Sequence, residues 1–216
     1  MTASPTTEIL VARGSALSFA VFTLLFVISL LFPTTKVIDY ATSMGVAISL
    51  VTLAAANEVC VKDEAKLVYA KLATPFAAIY CTYVCLVYFT QLTFVRLADA
   101  SPEALSIVAF EPNRTVFYAL DMLGYGFMSV AVFWIGLSLP HSLVQKLMIA
   151  VAILGGTCVA VPFLPSLYEE ANDEMSSVTD VASLVVWAGS YVPVMFLLSR
   201  QYQCEHTISG YTRVSK

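Results

Sequence analysis

The sequence predicts an all-α integral membrane protein, a polytopic bundle of six transmembrane helices, and two observations support this prediction. The composition is 59% hydrophobic and only 12% charged over 216 residues, with a mean hydropathy of +0.81. Such a chain has too little polar surface for a water-soluble globule. Apolar runs of about 20 residues, the length that crosses a hydrocarbon core, recur along it and differ from the alternating strands of an outer-membrane barrel. A helical bundle follows, because lipid offers the backbone no hydrogen-bonding partner.

Six of these runs are predicted as membrane spans, near 15–33, 37–57, 68–96, 113–138, 143–165 and 178–200. The first is interpreted as a retained span and not a signal peptide, because residues 1–14 contain a single basic residue, Arg13, and the apolar run is longer than a usual signal sequence. Residues 1–14 then form a cytoplasmic N-terminal segment. The polar residues 201–216 form a cytoplasmic tail that we expect to be mobile.

The connection between spans three and four contains a predicted short helix, at about 102–110, on the outer membrane interface. Ser101 can cap this helix, Pro102 suits its first position, and Glu103 suits the positive end of its dipole. At the start of span four, Asn113 is the predicted cap.

The distribution of Lys and Arg predicts the orientation of the bundle. Six spans place both termini on one side, and the basic residues on that side are Arg13, Lys62, Lys66, Lys71, Lys146, Arg200, Arg213 and Lys216. The opposite side carries Lys36, Arg96 and Arg114. Basic residues near span ends are retained in the cytoplasm, so the sequence predicts a multi-pass protein of the cell membrane with both termini inside.

A carboxylate, Asp121, lies within the fourth apolar run. Residues three or four apart share one face of a helix, so Arg114, Tyr118, Asp121 and Tyr125 form a stripe. If the span enters the hydrocarbon just after Arg114, Asp121 lies about 9 Å below the outer boundary. A carboxylate at such a position costs roughly 2.5–3.5 kcal/mol, so it should face protein or water and not lipid.

Span three supplies a polar stripe that could face Asp121. It runs through Tyr80, Val84, Tyr88 and Gln91 and ends near Arg96, on the same outer side. Most ionisable residues in or near the spans fall in this outer half, which predicts a polar pocket that opens outward.

Two further spans carry weaker polar stripes. The small residues of span two, which would let a neighbouring helix approach closely, are Thr42, Gly45, Ser49 and Thr52. Span six offers Asp180, Trp187 and Tyr191 at matching intervals. Among the large aromatic residues, Trp134, Tyr168 and Trp187 are interpreted either as anchors at the membrane interface or as core residues, and anchoring is the favoured interpretation.

Two interpretations of these stripes stay open. In the first, Asp121 binds a proton or a small solute, because an intramembrane carboxylate is a functional candidate by default. The residues expected to line this pocket are Arg114, Arg96, Gln91, Tyr88, Tyr118 and Tyr125. In the second, the same groups only hold helices in register, and the protein is a non-transporting scaffold or accessory subunit. A lipid-binding or lipid-modifying protein is a third interpretation.

No sequence motif indicates an enzymatic reaction. The chain contains no H-E-x-x-H, G-x-S-x-G or Walker sequence. Its two histidines, His141 and His206, lie outside the predicted spans, so no bis-His haem or His-based zinc site is expected. A net charge of −4 gives no basic surface for nucleic acid. The predicted partners are therefore the lipid bilayer and a small solute or proton, with no cofactor.

The segments YFTQL at 88–92 and ALDMLGY at 119–125 resemble segments of small six-span membrane proteins of uncharacterised activity. The resemblance covers parts of spans three and four. It implies the same six-helix fold and no particular activity or ligand.

Overall fold

A computed structural model describes residues 5–32, 36–95, 101–109, 115–160 and 185–203, and every regular element in these ranges is a helix. The helices are α1 Pro5–Leu31, α2 Lys36–Cys60, α3 Glu64–Thr90, α4 Pro102–Val108, α5 Val116–Ser138 and α6 Leu143–Ala160, followed by α7 at 185–203. Helix α3 continues as a π-helical turn over Gln91–Val95. The predicted all-α class is confirmed for the part of the chain described.

Among the described residues, four helices are long and apolar enough to cross a membrane, namely Thr7–Leu31, Lys36–Cys60, Glu64–Val95 and Val116–Ser138. A shorter apolar helix covers Leu143–Val159. Predicted spans five and six extend over 161–165 and 178–184, which lie outside the described residues. The count of six spans therefore stays a prediction, as do the cytoplasmic location of both termini and residence in the cell membrane.

Helices α1 and α7 extend beyond the predicted spans. Helix α1 begins at Pro5, and Ala12 is already buried, so its core-facing stripe starts ahead of residue 15. Helix α7 continues to residue 203 with Tyr202 buried. The rest of the tail, for which we predicted mobility, lies outside the described residues.

Neighbouring helices pack in the order α1 on α2, α2 on α3, α3 on α5 and α5 on α6. Large apolar side chains remain exposed on the outward faces, among them Leu24, Ile28, Leu86 and Phe89. Lipid tails solvate an apolar exterior of this kind, whereas in water it would promote aggregation. The exterior therefore agrees with the composition in favouring a bilayer as the solvent.

The short helix predicted between spans three and four is confirmed as α4. Ser101 caps it, because its Oγ accepts a hydrogen bond from the backbone N–H of Ala104 at 3.3 Å. Hydrogen bonds from the Glu103 backbone N–H and from the Ser101 hydroxyl lower the pKa of the Glu103 carboxyl below its usual value.

The cap of α5 differs from the prediction. Thr115 caps this helix, with its Oγ1 accepting from the backbone N–H of Tyr118 at 3.1 Å. The prediction of Asn113 was therefore wrong, because the helix starts at Val116 and the residue directly before it, Thr115, is its cap. Asn113 itself lies outside the described residues.

The small residues of α2 bring α1 close, as their size predicts. A Cβ atom at Gly45 would lie 2.7 Å from the Phe22 ring of α1. Thr42 and Ser49 donate their hydroxyl groups to carbonyls of their own helix, Ile38 O at 2.8 Å and Gly45 O at 2.7 Å. Their polarity is satisfied locally, so this stripe serves helix packing.

Candidate functional site

Asp121 lies inside the bundle, where α5 packs on α3, and only 3% of the residue is exposed. The Tyr88 hydroxyl donates a hydrogen bond to Asp121 Oδ2 at 3.1 Å. The hydroxyl groups of Tyr88 and Tyr125 are also hydrogen-bonded, at 2.9 Å. Because Tyr125 follows Asp121 by one helical turn, both reach the same hydroxyl of α3. We call Tyr88, Asp121 and Tyr125 the Asp121 centre.

The second oxygen of the Asp121 carboxyl group, Oδ1, has different surroundings from Oδ2. Within the described part of the chain, Asp121 Oδ1 is buried and has no hydrogen-bond partner. A buried polar atom without a partner costs roughly 1–3 kcal/mol, so such an atom is kept only when folding or function compensates. The carboxyl group can take up a proton or bind a polar ligand at this oxygen.

The other predicted pocket residues lie outside the Asp121 centre or outside the described part of the chain. The Gln91 side chain donates to the backbone carbonyl of Val108, and so connects the π-helical turn to α4. Tyr118 is half-buried at the start of α5, one turn before Asp121. Arg96 and Arg114 lie outside the described residues, so their contribution stays a prediction.

A row of aromatic side chains leads from the Asp121 centre towards α7. The Tyr125 ring meets Trp187 edge-on, with centroids 4.7 Å apart, and Trp187 meets Tyr191 at 5.9 Å. Tyr80 lies against the other side of Tyr125 at 5.8 Å. The prediction that Trp187 anchors the membrane interface was wrong, because Trp187 is 3% exposed and packs between aromatic rings in the core.

Gly155 of α6 makes room for the end of this row. Trp187 Nε1, Tyr191 OH and Ser129 Oγ converge on the space that a side chain at position 155 would fill. A Cβ atom there would contact Trp187 Nε1 and would lie 2.5 Å from Tyr191 OH and 2.7 Å from Ser129 Oγ. The missing side chain therefore allows α5, α6 and α7 to meet through polar atoms.

A small cavity of about 20 Å³ lies beside this row, with Ser43, Tyr80, Tyr125, Trp187 and Tyr191 in its lining. The side-chain polar atoms of Ser43, Tyr80, Trp187 and Tyr191 are buried without a hydrogen-bond partner among the described residues. A volume of this size accommodates about one water molecule. The region next to Asp121 thus combines several unpaired polar groups with little space.

A second polar centre, which the sequence interpretation missed, lies at the opposite end of the bundle. Asn57 Nδ2 donates to Ser138 Oγ at 2.8 Å, and the Tyr202 hydroxyl donates to Asn57 Oδ1 at 2.7 Å. All three residues are 1–3% exposed. We call them the Asn57 centre. The sequence signal for this centre was the amide of Asn57 near the end of span two. Its partners could not be identified from helical spacing, because they are 81 and 145 residues away in the chain.

Apolar side chains separate the two centres. Between the polar residues of α2, α5 and α7 lie Leu50, Leu53, Val132, Ile135 and Leu198, all fully buried. We call these residues the apolar layer. Helix α5 rises about 26 Å from Asp121 to Ser138, so the two centres are far apart.

The described residues contain no group of three or more His, Cys, Asp or Glu side chains that could hold a metal ion. Comparisons with protein-family models, with curated proteins and with solved structures find no match to this chain.

Proposed function

We propose that this protein is an integral membrane protein that binds or translocates a proton or a small polar solute at Asp121. The observation that supports the proposal is the buried carboxyl group whose Oδ2 accepts from Tyr88 while Oδ1 has no partner among the described residues. Tyr88 and Tyr125 line the site. In this proposal Gln91, Tyr118, Arg96 and Arg114 form its approach from the outer side.

The surroundings of Asp121 favour a proton over a larger solute. The cavity lined by Tyr125, the neighbour of Asp121 on α5, is about 20 Å³ in volume and has room for a water molecule and for little else. A tyrosine hydroxyl both donates and accepts a hydrogen bond. The Tyr88–Tyr125 pair can therefore relay a proton to or from the carboxyl group while the helices stay in contact. A solute would require α3 and α5 to move apart first.

The second candidate function is that of a scaffold or accessory subunit. The Tyr88–Asp121 hydrogen bond joins α3 to α5, which pack closely together. Interhelical hydrogen bonds of this kind stabilise membrane bundles without taking part in transport.

Proton flux into proteoliposomes distinguishes the two candidates. The wild-type protein and the Asp121→Asn variant are reconstituted with an internal pH-sensitive dye, and flux is driven by a pH gradient with the membrane potential clamped. We expect Asp121→Asn to lower the flux at least tenfold, because an amide cannot exchange the proton. The matched control is Glu58→Gln, which replaces another carboxylate that accepts from a hydroxyl on a neighbouring helix, Thr74, at 3.0 Å.

The control should keep the wild-type flux. If Asp121→Asn also keeps it, Asp121 is not the transport site. If the wild-type protein gives no flux above that of protein-free liposomes and the variant only unfolds more easily, the scaffold function is supported instead.

A further inference from the structure

The Asn57 end of the bundle contains an open pocket that the proposed function does not use. Its volume is about 400 Å³, within the range of small-molecule sites. Helices α1, α2, α3, α5 and α7 all contribute residues to its lining. The apolar layer separates this pocket from Asp121, so the inference drawn from it does not depend on the function proposed there.

The floor of the pocket is polar and held in place. Asn57, Ser138 and Tyr202 belong to its lining and are hydrogen-bonded to one another across three helices. The Asn57 amide has two N–H donors, and the bond to Ser138 uses one of them. Buried groups that are fixed by their neighbours cost little further ordering when they bind a ligand.

The walls of the pocket carry charges of both signs. Lys62 and Lys66 are its basic residues, and Glu8 and Asp63 are its acidic residues. Lys66 is half-buried and donates a hydrogen bond through Nζ to the carbonyl of Leu139 at 2.8 Å. Among the described residues, no carboxylate pairs with Lys66. An ammonium group has three donors, and this bond uses one.

The two acidic residues differ in what they are free to bind. Asp63 caps α3, because its Oδ1 accepts from the backbone N–H of Ala65 at 3.0 Å. Glu8 is half-buried in the first turn of α1. The pocket therefore offers Lys62 and Lys66 to a negative group, and Glu8 together with the second carboxylate oxygen of Asp63 to a positive one.

We propose that this pocket binds a small zwitterion, in which an ammonium group lies a few bonds from a phosphate or carboxylate. The anionic group contacts Lys62 and Lys66, the ammonium group contacts Glu8, and the Asn57 centre contributes hydrogen bonds from below. A ligand with a single sign of charge meets like charge on one wall, which disfavours its binding. The same chemistry occurs in free small molecules and in the phosphoethanolamine headgroup of a lipid.

Calorimetry on the purified full-length protein in a non-ionic detergent tests the charge requirement. The probes are phosphoethanolamine and its two halves, ethanolamine and inorganic phosphate. We expect phosphoethanolamine to bind at least tenfold more tightly than either half. The proposal is overturned if phosphate alone binds as tightly as phosphoethanolamine or more tightly. It is also overturned if phosphoethanolamine does not bind and the nanodiscs described next show no lipid effect.

Nanodiscs identify the source of the zwitterion. A higher melting temperature in phosphatidylethanolamine discs than in phosphatidylglycerol discs supports a lipid headgroup. Binding of free phosphoethanolamine without this lipid effect supports a soluble ligand.

Variants locate the binding site. Lys66→Gln and Glu8→Gln should each weaken binding about tenfold, because each removes one charge–charge contact. The matched controls Lys146→Gln and Glu64→Gln change exposed residues outside the lining, at the same end of the bundle, and should bind as the wild-type protein does. Equal losses in variants and controls would show that the pocket is not the binding site. If a variant fails to fold, the comparison of the three probes on the wild-type protein still shows whether binding requires both charges.

Discussion

Tyr88 holds the Asp121 centre together, because its single hydroxyl group contacts both Asp121 and Tyr125. We expect Tyr88→Phe to lower the free energy of unfolding by about 1 kcal/mol, since interhelical hydrogen bonds in membrane proteins contribute about 0.6 kcal/mol on average and up to about 1.7. Unfolding by a denaturing detergent, followed by circular dichroism, measures the change.

Tyr69→Phe is the matched control for this prediction. Tyr69 lies on the same helix and is 37% exposed, with its ring stacked on Trp134. Loss of its hydroxyl group should change stability by less than about 0.5 kcal/mol. Equal losses in the two variants would mean that the Tyr88 hydroxyl contributes no special stability.

Asn57 plays the corresponding part at the other end of the bundle. Asn57→Ala removes two interhelical hydrogen bonds, the one donated to Ser138 and the one accepted from Tyr202. We expect the free energy of unfolding to fall by about 2 kcal/mol, because each buried hydrogen bond contributes about 1 kcal/mol. Thr52→Ala on the same helix is the control, because the hydrogen bonds that the structure describes for the exposed Thr52 hydroxyl go to carbonyls of its own helix.

The residues show what helical spacing can and cannot predict. Spacing placed Asp121 and Tyr125 on one face of α5 and Tyr88 on the facing stripe of α3, and these three residues do meet. Spacing within one helix cannot identify partners on another helix. The bond from Gln91 to α4 and the pairing of Asn57 with Tyr202 therefore had no signal that could be read from the sequence alone.

At the scale of helices, Gly155 controls how closely α6 approaches α5 and α7. We expect Gly155→Ala to lower the free energy of unfolding by about 1–3 kcal/mol, because the new Cβ atom would displace Trp187, Tyr191 and Ser129. Thermal unfolding in detergent measures the loss.

The neighbouring glycine provides a control for this substitution. A Cβ atom at Gly156 would lie 3.9 Å from Ser129 Cβ, an ordinary contact. Gly156→Ala should leave stability unchanged or raise it by up to about 1 kcal/mol, because alanine favours helix more than glycine does. A larger loss in Gly156→Ala than in Gly155→Ala would contradict the close approach at residue 155.

A helix end was predictable where the sequence offers one clear start signal, and less predictable where two residues both suit the cap position. Ser101, Pro102 and Glu103 form a strong start signal, and α4 begins there. Asn113 and Thr115 both suit a cap, and only the position of the first helical residue decides between them. No composition rule predicts the π-helical turn at Gln91–Val95, whose first residue bonds to Val108 of α4.

At the scale of the whole molecule, α3 with its π-helical turn spans 32 residues, about 48 Å, which exceeds the thickness of a hydrocarbon core. The loop at 61–63 and helix α4 should therefore face opposite sides of the membrane. In a background without other cysteines, we expect Glu103→Cys to react with an impermeant maleimide on intact cells. Lys62→Cys should react only after permeabilisation.

The labelling pattern also tests the predicted orientation. The reverse pattern would place the Asn57 end outside, and labelling of both positions on intact cells would mean that α3 does not cross. The four long apolar helices were predictable because run length alone indicates them. Orientation rests on a weaker signal, the distribution of a few basic residues near the span ends.

The apolar layer has an electrical consequence. The five residues of this layer carry no charge and lie between the two polar centres, so part of a transmembrane voltage should fall across Leu50, Leu53, Val132, Ile135 and Leu198. Moving one elementary charge through the full voltage changes its energy by about 2.3 kcal/mol per 100 mV. A proton carried from Asp121 to the Asn57 end would therefore generate a current.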